Sequence, residues 1–212
     1  MKRFEIITEA DARVLEPGET VVLADRGQIT PLAADTLRQR RITVLRNDQV
    51  DLAHEQLPPV AEIRRIAIAS DHTGVTLKAA LVAALRTRGL AVDDLGTTGT
   101  EAVDYPDTAA AVARSVARRE ADAGIVIDGS GIGSAIAANK VNGIRAAVCH
   151  DVTTARYARA HNGANVLSLG STLVSVDDAM AVVETWLGTA MREPRYIRRL
   201  AKLHRLEEQA KP

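Results

Sequence analysis

The sequence predicts an α/β protein: a doubly wound, five-stranded parallel sheet preceded by a small amino-terminal extension that contains short strands of its own. Three observations carry this. From Arg64 onward, short β-branched runs alternate with amphipathic helical stretches, the rhythm of a parallel sheet covered on both faces. Each run closes on glycines or polar turn residues, which is how a buried strand hands over to a helix. Residues 1–57 lack that rhythm, and Leu57-Pro58-Pro59-Val60 follows them. Consecutive prolines favour extended backbone, so 58–63 reads as a linker between an extension (1–57) and a main domain (64–212).

In the extension, Phe4 to Ile7, Thr20 to Leu23 and Ile42 to Leu45 are short apolar pieces. Pro17-Gly18 and Arg26-Gly27 read as turns between them, and one short helix is expected after Pro31. In the main domain, Ile66 to Ser70 is a buried strand with Asp71-His72-Thr73-Gly74 as its terminal loop. Val75 to Arg88 places Leu77, Leu81, Val82 and Leu85 on one helical face and ends at Gly89. Leu90 to Leu95 is a second strand and Thr108 to Arg119 a second helix. The third strand, Gly124 to Asp128, runs into Gly129-Ser130-Gly131-Ile132-Gly133-Ser134, and a helix begins around Ala135. Ala146 to Cys149 and Val166 to Leu169 add two strands, separated by a helical Val152 to Ala160. Two helices, Asp177 to Leu187 and Arg195 to Glu208, close the chain, broken around Gly188 and Pro194.

Composition narrows the function. The 212 residues are 46% hydrophobic, and 27 Lys plus Arg balance 27 Asp plus Glu. No overall field favours nucleic acid or membrane. The single cysteine, Cys149, lies in an apolar stretch and reads as a small core residue. The lack of a disulfide framework suits a reducing cytoplasm, and no run approaches the ~20 apolar residues of a membrane span. His and Cys do not cluster at metal-ligand spacing, so no metal is expected. The glycines at 129, 131 and 133 miss the spacing of a dinucleotide fingerprint, and there is no Gly-Lys-Ser phosphate loop. Nucleotide hydrolysis and nicotinamide binding are therefore weak readings, and no cofactor is expected.

What remains is chemistry at the strand ends, where ligands bind in a doubly wound sheet. Asp71-His72, Asp128 with Ser130, and His150-Asp151 follow three of the strands. The amides of Gly129 to Gly133 form an anion cradle with Asp128 at its lip. Asp71-His72 also fits an N-cap, and Asn162 in His161-Asn162-Gly163 also fits a helix C-cap. Arg195 and Arg199 share one helical face, suited either to solvent or to clamping a phosphate. An acid, a histidine, an amide cradle and paired arginines suit proton transfer beside a carbonyl, with the cradle stabilising the enediolate.

Several separated motifs, in one order, resemble the type B ribose-5-phosphate isomerases and their relatives the galactose-6-phosphate isomerases. They are Ser70-Asp71-His72-Thr73-Gly74, Asp104-Tyr105-Pro106, Gly129-Ser130-Gly131-Ile132-Gly133, Ile136-Ala137-Ala138-Asn139-Lys140, Gly143-Ile144-Arg145-Ala146, Ala160-His161-Asn162 and Asn165-Val166-Leu167. The resemblance implies a Rossmann-like sheet, metal-free aldose–ketose isomerisation of a phosphorylated sugar, and a homodimer whose sites borrow residues across the interface. It implies that His161 opens the sugar ring with Asp71 assisting, and that Ser130 with the amides of Gly129, Gly131 and Gly133 stabilises the enediolate. By the same resemblance His72, Arg195 and Arg199 hold the phosphate and Asn162 contacts a substrate hydroxyl.

Two departures stand out. Asp128 occupies a position that is a cysteine base in many members, while others place a glutamate where this chain has Ser134. An aspartate of ordinary pKa, about 3.9, is ionised at neutral pH without activation. Gly170-Ser171-Thr172 carries threonine where the ribose enzymes carry a phosphate-binding arginine, so another sugar phosphate, a hexose or deoxy sugar, stands as an alternative substrate. A non-catalytic sugar-phosphate-binding or shell-associated subunit is the other alternative. Phe4 to Arg13 and Leu23-Ala24-Asp25-Arg26 to Ile29-Thr30-Pro31 are similar to the start of the ethanolamine-utilisation cobalamin adenosyltransferases. That resemblance implies targeting or assembly with shell or cargo proteins of a bacterial microcompartment, and the plainer reading is an oligomerisation appendage.

Overall fold

A computed structural model of the chain describes residues 2–46 and 63–209; the Leu57 to Val60 linker lies outside the described residues. The chain divides into two compact units, Met1–Leu57 and Pro58–Pro212.

The first unit runs β1 (Arg3–Ile7), α1 (Glu9–Val14), β2 (Thr20–Ile29), α2 (Pro31–Gln39) and β3 (Thr43–Arg46). Its sheet is parallel, in the order β1-β2-β3. Ile7, Ala12, Leu15, Val21, Leu23, Ala33, Leu37 and Ile42 form its core. The short α1 escapes sequence periodicity because six residues show less than two turns of pattern. What starts it is a capping box, Thr8 with Asp11. Arg26-Gly27, read as a turn, lies inside β2. The turn signal is absorbed as a bulge: partners pass from Phe4↔Leu23 to Ile6↔Gln28, so β2 loops out between two residues of β1.

The second unit runs β4 (Arg65–Ser70), α3 (Val75–Thr87), β5 (Ala91–Asp94), α4 (Tyr105–Ala117), β6 (Ala123–Asp128) and α5 (Ile132–Ala138). It continues through β7 (Ala146–Val148), α6 (Val152–Asn162), β8 (Val166–Gly170), α7 (Val176–Gly188) and α8 (Pro194–Gln209). Five parallel strands follow the order β5-β4-β6-β8-β7. Alternation along the strands builds two cores. Ile66, Ile68, Ile125, Ile127, Leu167 and Leu169 pack with Leu81, Val182 and Trp186 on one face. Ala67, Ala69 and Val126 pack with Val112, Ala113 and Ala138 on the other.

Two helices begin a full three residues earlier than the sequence predicts, α4 at Tyr105 and α5 at Ile132. Pro106 lies in the first turn of α4, where its missing N–H costs nothing. Helix α5 starts immediately after Gly131. Cys149 is buried, and burial pushes its thiol up to about 11, in keeping with a core residue. Among the described residues no helix is long and apolar enough to cross a membrane.

Sequence reading gave no role to Lys78. Although charged, it is only 2% exposed and pairs with Asp94 at the end of β5, whose carboxylate also accepts the Gly96 amide at 3.1 Å. Removing the acid strands a buried ammonium. Asp94→Ala is expected to cost on the order of 3 kcal/mol in urea unfolding, and Lys78→Met distinctly less, because it leaves no buried charge behind.

Candidate active site

At the carboxyl edge of the sheet, β4 hands over to α3 through Asp71. Its Oδ1 accepts the Thr73 amide (2.9 Å), the Thr73 hydroxyl (2.6 Å) and the Gly74 amide (3.3 Å), while its own amide donates to the Ile127 carbonyl at 3.0 Å. Asp71 is thus buried and bound into the turn, and His72 is exposed on it. The N-cap of α3 is Gly74, without a side-chain cap bond, so Asp71 ties the turn before the helix rather than capping it as the sequence allowed.

Beside it, β6 ends in Asp128, 4% exposed. Oδ1 accepts the amides of Ser130 (2.8 Å) and Gly131 (2.5 Å), and Oδ2 accepts the amide of Ser134 (2.8 Å). Burial works to raise this carboxyl's pKa. The interactions with Ser134, Gly131 and Ser130 outweigh it and hold Asp128 below the usual carboxylate range. Two amides of the Gly129–Gly133 loop, those of Ser130 and Gly131, and the Ser134 amide beyond it thus converge on the chain's own carboxylate. Gly131 turns the chain at φ 79°, with a Cβ-sized atom there only 2.9 Å from the Leu169 carbonyl carbon, so only glycine fits.

The loop is braced from β8. Ser168 Oγ donates to the Gly131 carbonyl (2.5 Å), Thr172 Oγ1 to the Gly129 carbonyl (2.6 Å), and the Ser171 amide to the Asp128 carbonyl (2.8 Å). Ser171 Oγ reaches Thr73 Oγ1 at 3.3 Å, joining the Asp71 and Asp128 loops. Thr172 is thus a structural brace. Tyr105, whose place is not evident from its sequence neighbours, lies over Gly133: a Cβ there would fall 2.6 Å from its ring. Asp151 serves as the cap of α6, accepting the amides of Thr153 (2.7 Å) and Thr154 (2.8 Å).

The remaining predicted residues lie elsewhere. Helix α6 starts at the carboxyl edge and runs back along the sheet, about 16 Å for its 11 residues. Its last residues, His161 and Asn162, therefore sit at the amino edge, where Asn165 bonds the start of β6 and β8 begins. The His161 imidazole is sandwiched between Tyr157 (4.6 Å, 19°) and Tyr196 of α8 (4.2 Å, 21°). The Arg195 and Arg199 guanidiniums lie 4.7 and 5.6 Å from the Tyr196 ring centre. Gly163 takes the left-handed cap conformation, and Asn162 Nδ2 donates to the Tyr157 carbonyl at 3.0 Å. Arg145 is turned onto the carbonyls of Gly163 (2.9 Å) and Gly143 (3.3 Å). Arg159, buried against Trp186, is pushed down to about 10 by burial and secondarily by Arg145.

The chain thus gathers Asp71, His72, Asp128, Gly129, Ser130, Gly131 and Gly133 at one edge, and His161, Asn162, Arg195 and Arg199 at the other. Among the described residues no group of three or more His, Cys, Asp or Glu side chains is placed to hold a metal.

A profile of the family described as Ribose/Galactose Isomerase matches residues 66–203. The ribose-5-phosphate isomerase B of Escherichia coli (strain K12) is 42% identical over 146 residues, 69% of this chain and 98% of that protein. Among solved structures, the ribose-5-phosphate isomerase B of Clostridium thermocellum superposes with a TM-score of 0.68 at 46% identity, covering 69% of this chain and 99% of that one. The Mycoplasma genitalium ribose-5-phosphate isomerase B, solved with bound ribulose-5-phosphate, gives 0.67 at 40% identity, covering 69% and 97%. The family match leaves the first unit outside it.

Because its folded-state pKa is depressed, ionised Asp128 stabilises the fold at pH values above the ordinary carboxylate range, and this contribution is lost as pH falls through the folded value. The Tm advantage of wild type over Asp128→Asn should be full at pH 7 and shrink below about pH 4, as read by thermal unfolding across pH.

Proposed function

The chain belongs to the Ribose/Galactose Isomerase family and is a sugar-phosphate isomerase, and from that premise we propose that it interconverts ribose 5-phosphate and ribulose 5-phosphate through an enediolate. The observation that carries this reading is Asp128, ionised at the lip of the glycine loop. Each carboxylate oxygen offers two lone-pair directions, and Oδ2 accepts a single amide bond. Asp128 takes the proton from C2. The C–H electron pair becomes the C1–C2 double bond, and the carbonyl oxygen at C1 takes the negative charge. A proton passes from the C2 hydroxyl to that oxygen, and Asp128 returns its own proton to C1 as the C2 carbonyl forms. As Asp128 is neutralised its hold on the loop amides weakens, and they and Ser130 turn their donors to the enediolate.

The division of the remaining residues supports a homodimer. His161, which opens the ring with Asp71, lies with Asn162, Arg195 and Arg199 at the opposite edge from Asp71, His72 and Asp128. One site assembled from both sets takes the carboxyl-edge half of one copy and the amino-edge half of another, with His72, Arg195 and Arg199 on the phosphate. A second substrate reading, another sugar phosphate, is favoured by Thr172, which braces Gly129 and offers no cation. We assign the first unit to targeting or assembly within a sugar-phosphate-processing bacterial microcompartment, supported by the likeness of its sequence to the start of the ethanolamine-utilisation adenosyltransferases.

Proton NMR of ribose 5-phosphate incubated with the protein in deuterated water reads isomerisation and exchange together. Asp128→Asn should lower turnover by about 10²- to 10⁴-fold with substrate binding largely kept; full turnover would remove Asp128 from the role of base. Mixing equal amounts of Asp128→Asn and His161→Gln chains, unfolded and refolded together, should restore about a quarter of wild-type turnover, because half the dimers are mixed and each holds one intact site. Sites contained within a single chain would restore none. A chain truncated at Pro58-Pro59 should stay active and lose co-localisation with shell proteins; a change of oligomeric state instead marks the unit as an assembly element.

A further inference from the structure

An aromatic column stands at the amino edge of the sheet. Tyr157 and His161 are four residues apart on α6, so their rings share one helical face, and Tyr196 closes the sandwich from the first turns of α8. The Tyr196 ring also meets the Arg195 and Arg199 guanidiniums, and Arg195 is further held by Glu193 at 2.8 Å. Helix α8 is anchored at its other end too, where Glu207 accepts the Gly143 amide at 3.0 Å. The ring of Tyr196 is therefore a fixed object touched by both the imidazole and the two guanidiniums.

We propose that Tyr196 is a positioning residue that sets the distance between the ring-opening imidazole of His161 and the phosphate-binding pair Arg195 and Arg199, and that Tyr157 holds the other face of the same imidazole. This rests on the reading that His161 opens the ring and the arginines take the phosphate. A sugar phosphate presents its ring oxygen and its phosphorus at a separation fixed by its carbon chain. Groups that bind the two ends must be held at a matching separation before the substrate arrives. An imidazole on an exposed helix terminus would otherwise rotate freely, and two arginines on one face would repel each other apart. A flat ring that touches them all limits both: the His161 ring and the Arg195 guanidinium stand no further apart than their distances to the Tyr196 ring centre, 4.2 and 4.7 Å, laid end to end. Contact with an aromatic face engages the face of a guanidinium and not its N–H donors, so the donors that Glu193 does not take can meet phosphate oxygens.

The contacts predict a split that a merely structural ring would not produce. Tyr157 touches His161 but neither Arg195 nor Arg199 among the ring contacts, whereas Tyr196 touches all three. In the full-length protein, Tyr157→Leu should lower kcat for ribose 5-phosphate by roughly tenfold with KM little changed. Tyr196→Leu should lower kcat and raise KM, each by roughly tenfold, and Tyr196→Phe, which keeps the ring, should recover both to within about threefold. The His161 imidazole proton resonance, assigned by its loss in His161→Gln, should lie upfield through the two ring currents and move downfield in either leucine variant. If the resonance moves as expected while kcat and KM stay at wild-type values in both leucine variants, the positioning role is overturned. If His161→Gln retains wild-type turnover, it is the reading of His161 that falls, and the column with it. Should Tyr196→Leu fail to fold, Tyr157→Leu decides alone, since Tyr157 is 48% exposed and lies outside the α8 anchor.

Discussion

The carboxylate of Asp128 closes three amide bonds at the end of the central strand, and the carboxyl-edge half of the site depends on that closure. Without an acceptor at this point the amides of Ser130, Gly131 and Ser134 would be partly buried donors with no partner, an expensive arrangement. With it, the loop turns tightly through Gly131 and starts α5 at Ile132. The neighbouring strand then fits against the turn, with Ser168 and Thr172 taking the Gly131 and Gly129 carbonyls. The same interaction keeps a nearly buried acid ionised, since the donors around it outweigh the cost of burial.

Ionisation and burial together shape the proposed chemistry. A carboxylate tied to amides is a weaker base than a free one, and a cysteine in its place would begin from the opposite side, protonated at neutral pH. In the proposed cycle the weakness is compensated by geometry. The charge that leaves Asp128 when it takes the proton reappears on the sugar oxygen, within the same loop, so the amides keep an anion to bind throughout. Thr172 fits this picture as a brace of the loop.

Parallel topology decides where the rest of the chemistry lies. Every strand of the main sheet points the same way, so every helix that follows must carry the chain back to the opposite edge. A residue at the start of such a helix joins Asp128, and one at its end cannot. Asp151 and His161 mark the two ends of α6, and only the second lies with Arg195 and Arg199. The proposed pairing of two copies is the way both edges come to serve one substrate. The aromatic column, by the same account, holds the amino-edge half in shape within each copy.

Read alone, the sequence already carries the alternation of Ile66, Ile68, Ile125 and Ile127 with Ala67, Ala69 and Val126, because burial on two faces demands apolar residues at every strand position. It also places Asp71 and Asp128 at strand ends, since the glycines and turn residues that stop a strand are local in sequence. Elements whose cause is local but short, such as the capping box before α1, left too few residues for a periodic signal. The bulge at Arg26-Gly27 shows the limit of local signals: two residues that bend the chain do not say whether the strand resumes. Lys78 with Asp94, Ser171 with Thr73, and His161 with Tyr196 could not be read at all. Their partners lie 16, 98 and 35 positions away along the chain. Residue type and spacing thus determined the fold and the chemical inventory. Which strand braces the glycine loop, which rings enclose the histidine and which edge each group occupies were decided only when distant segments packed together.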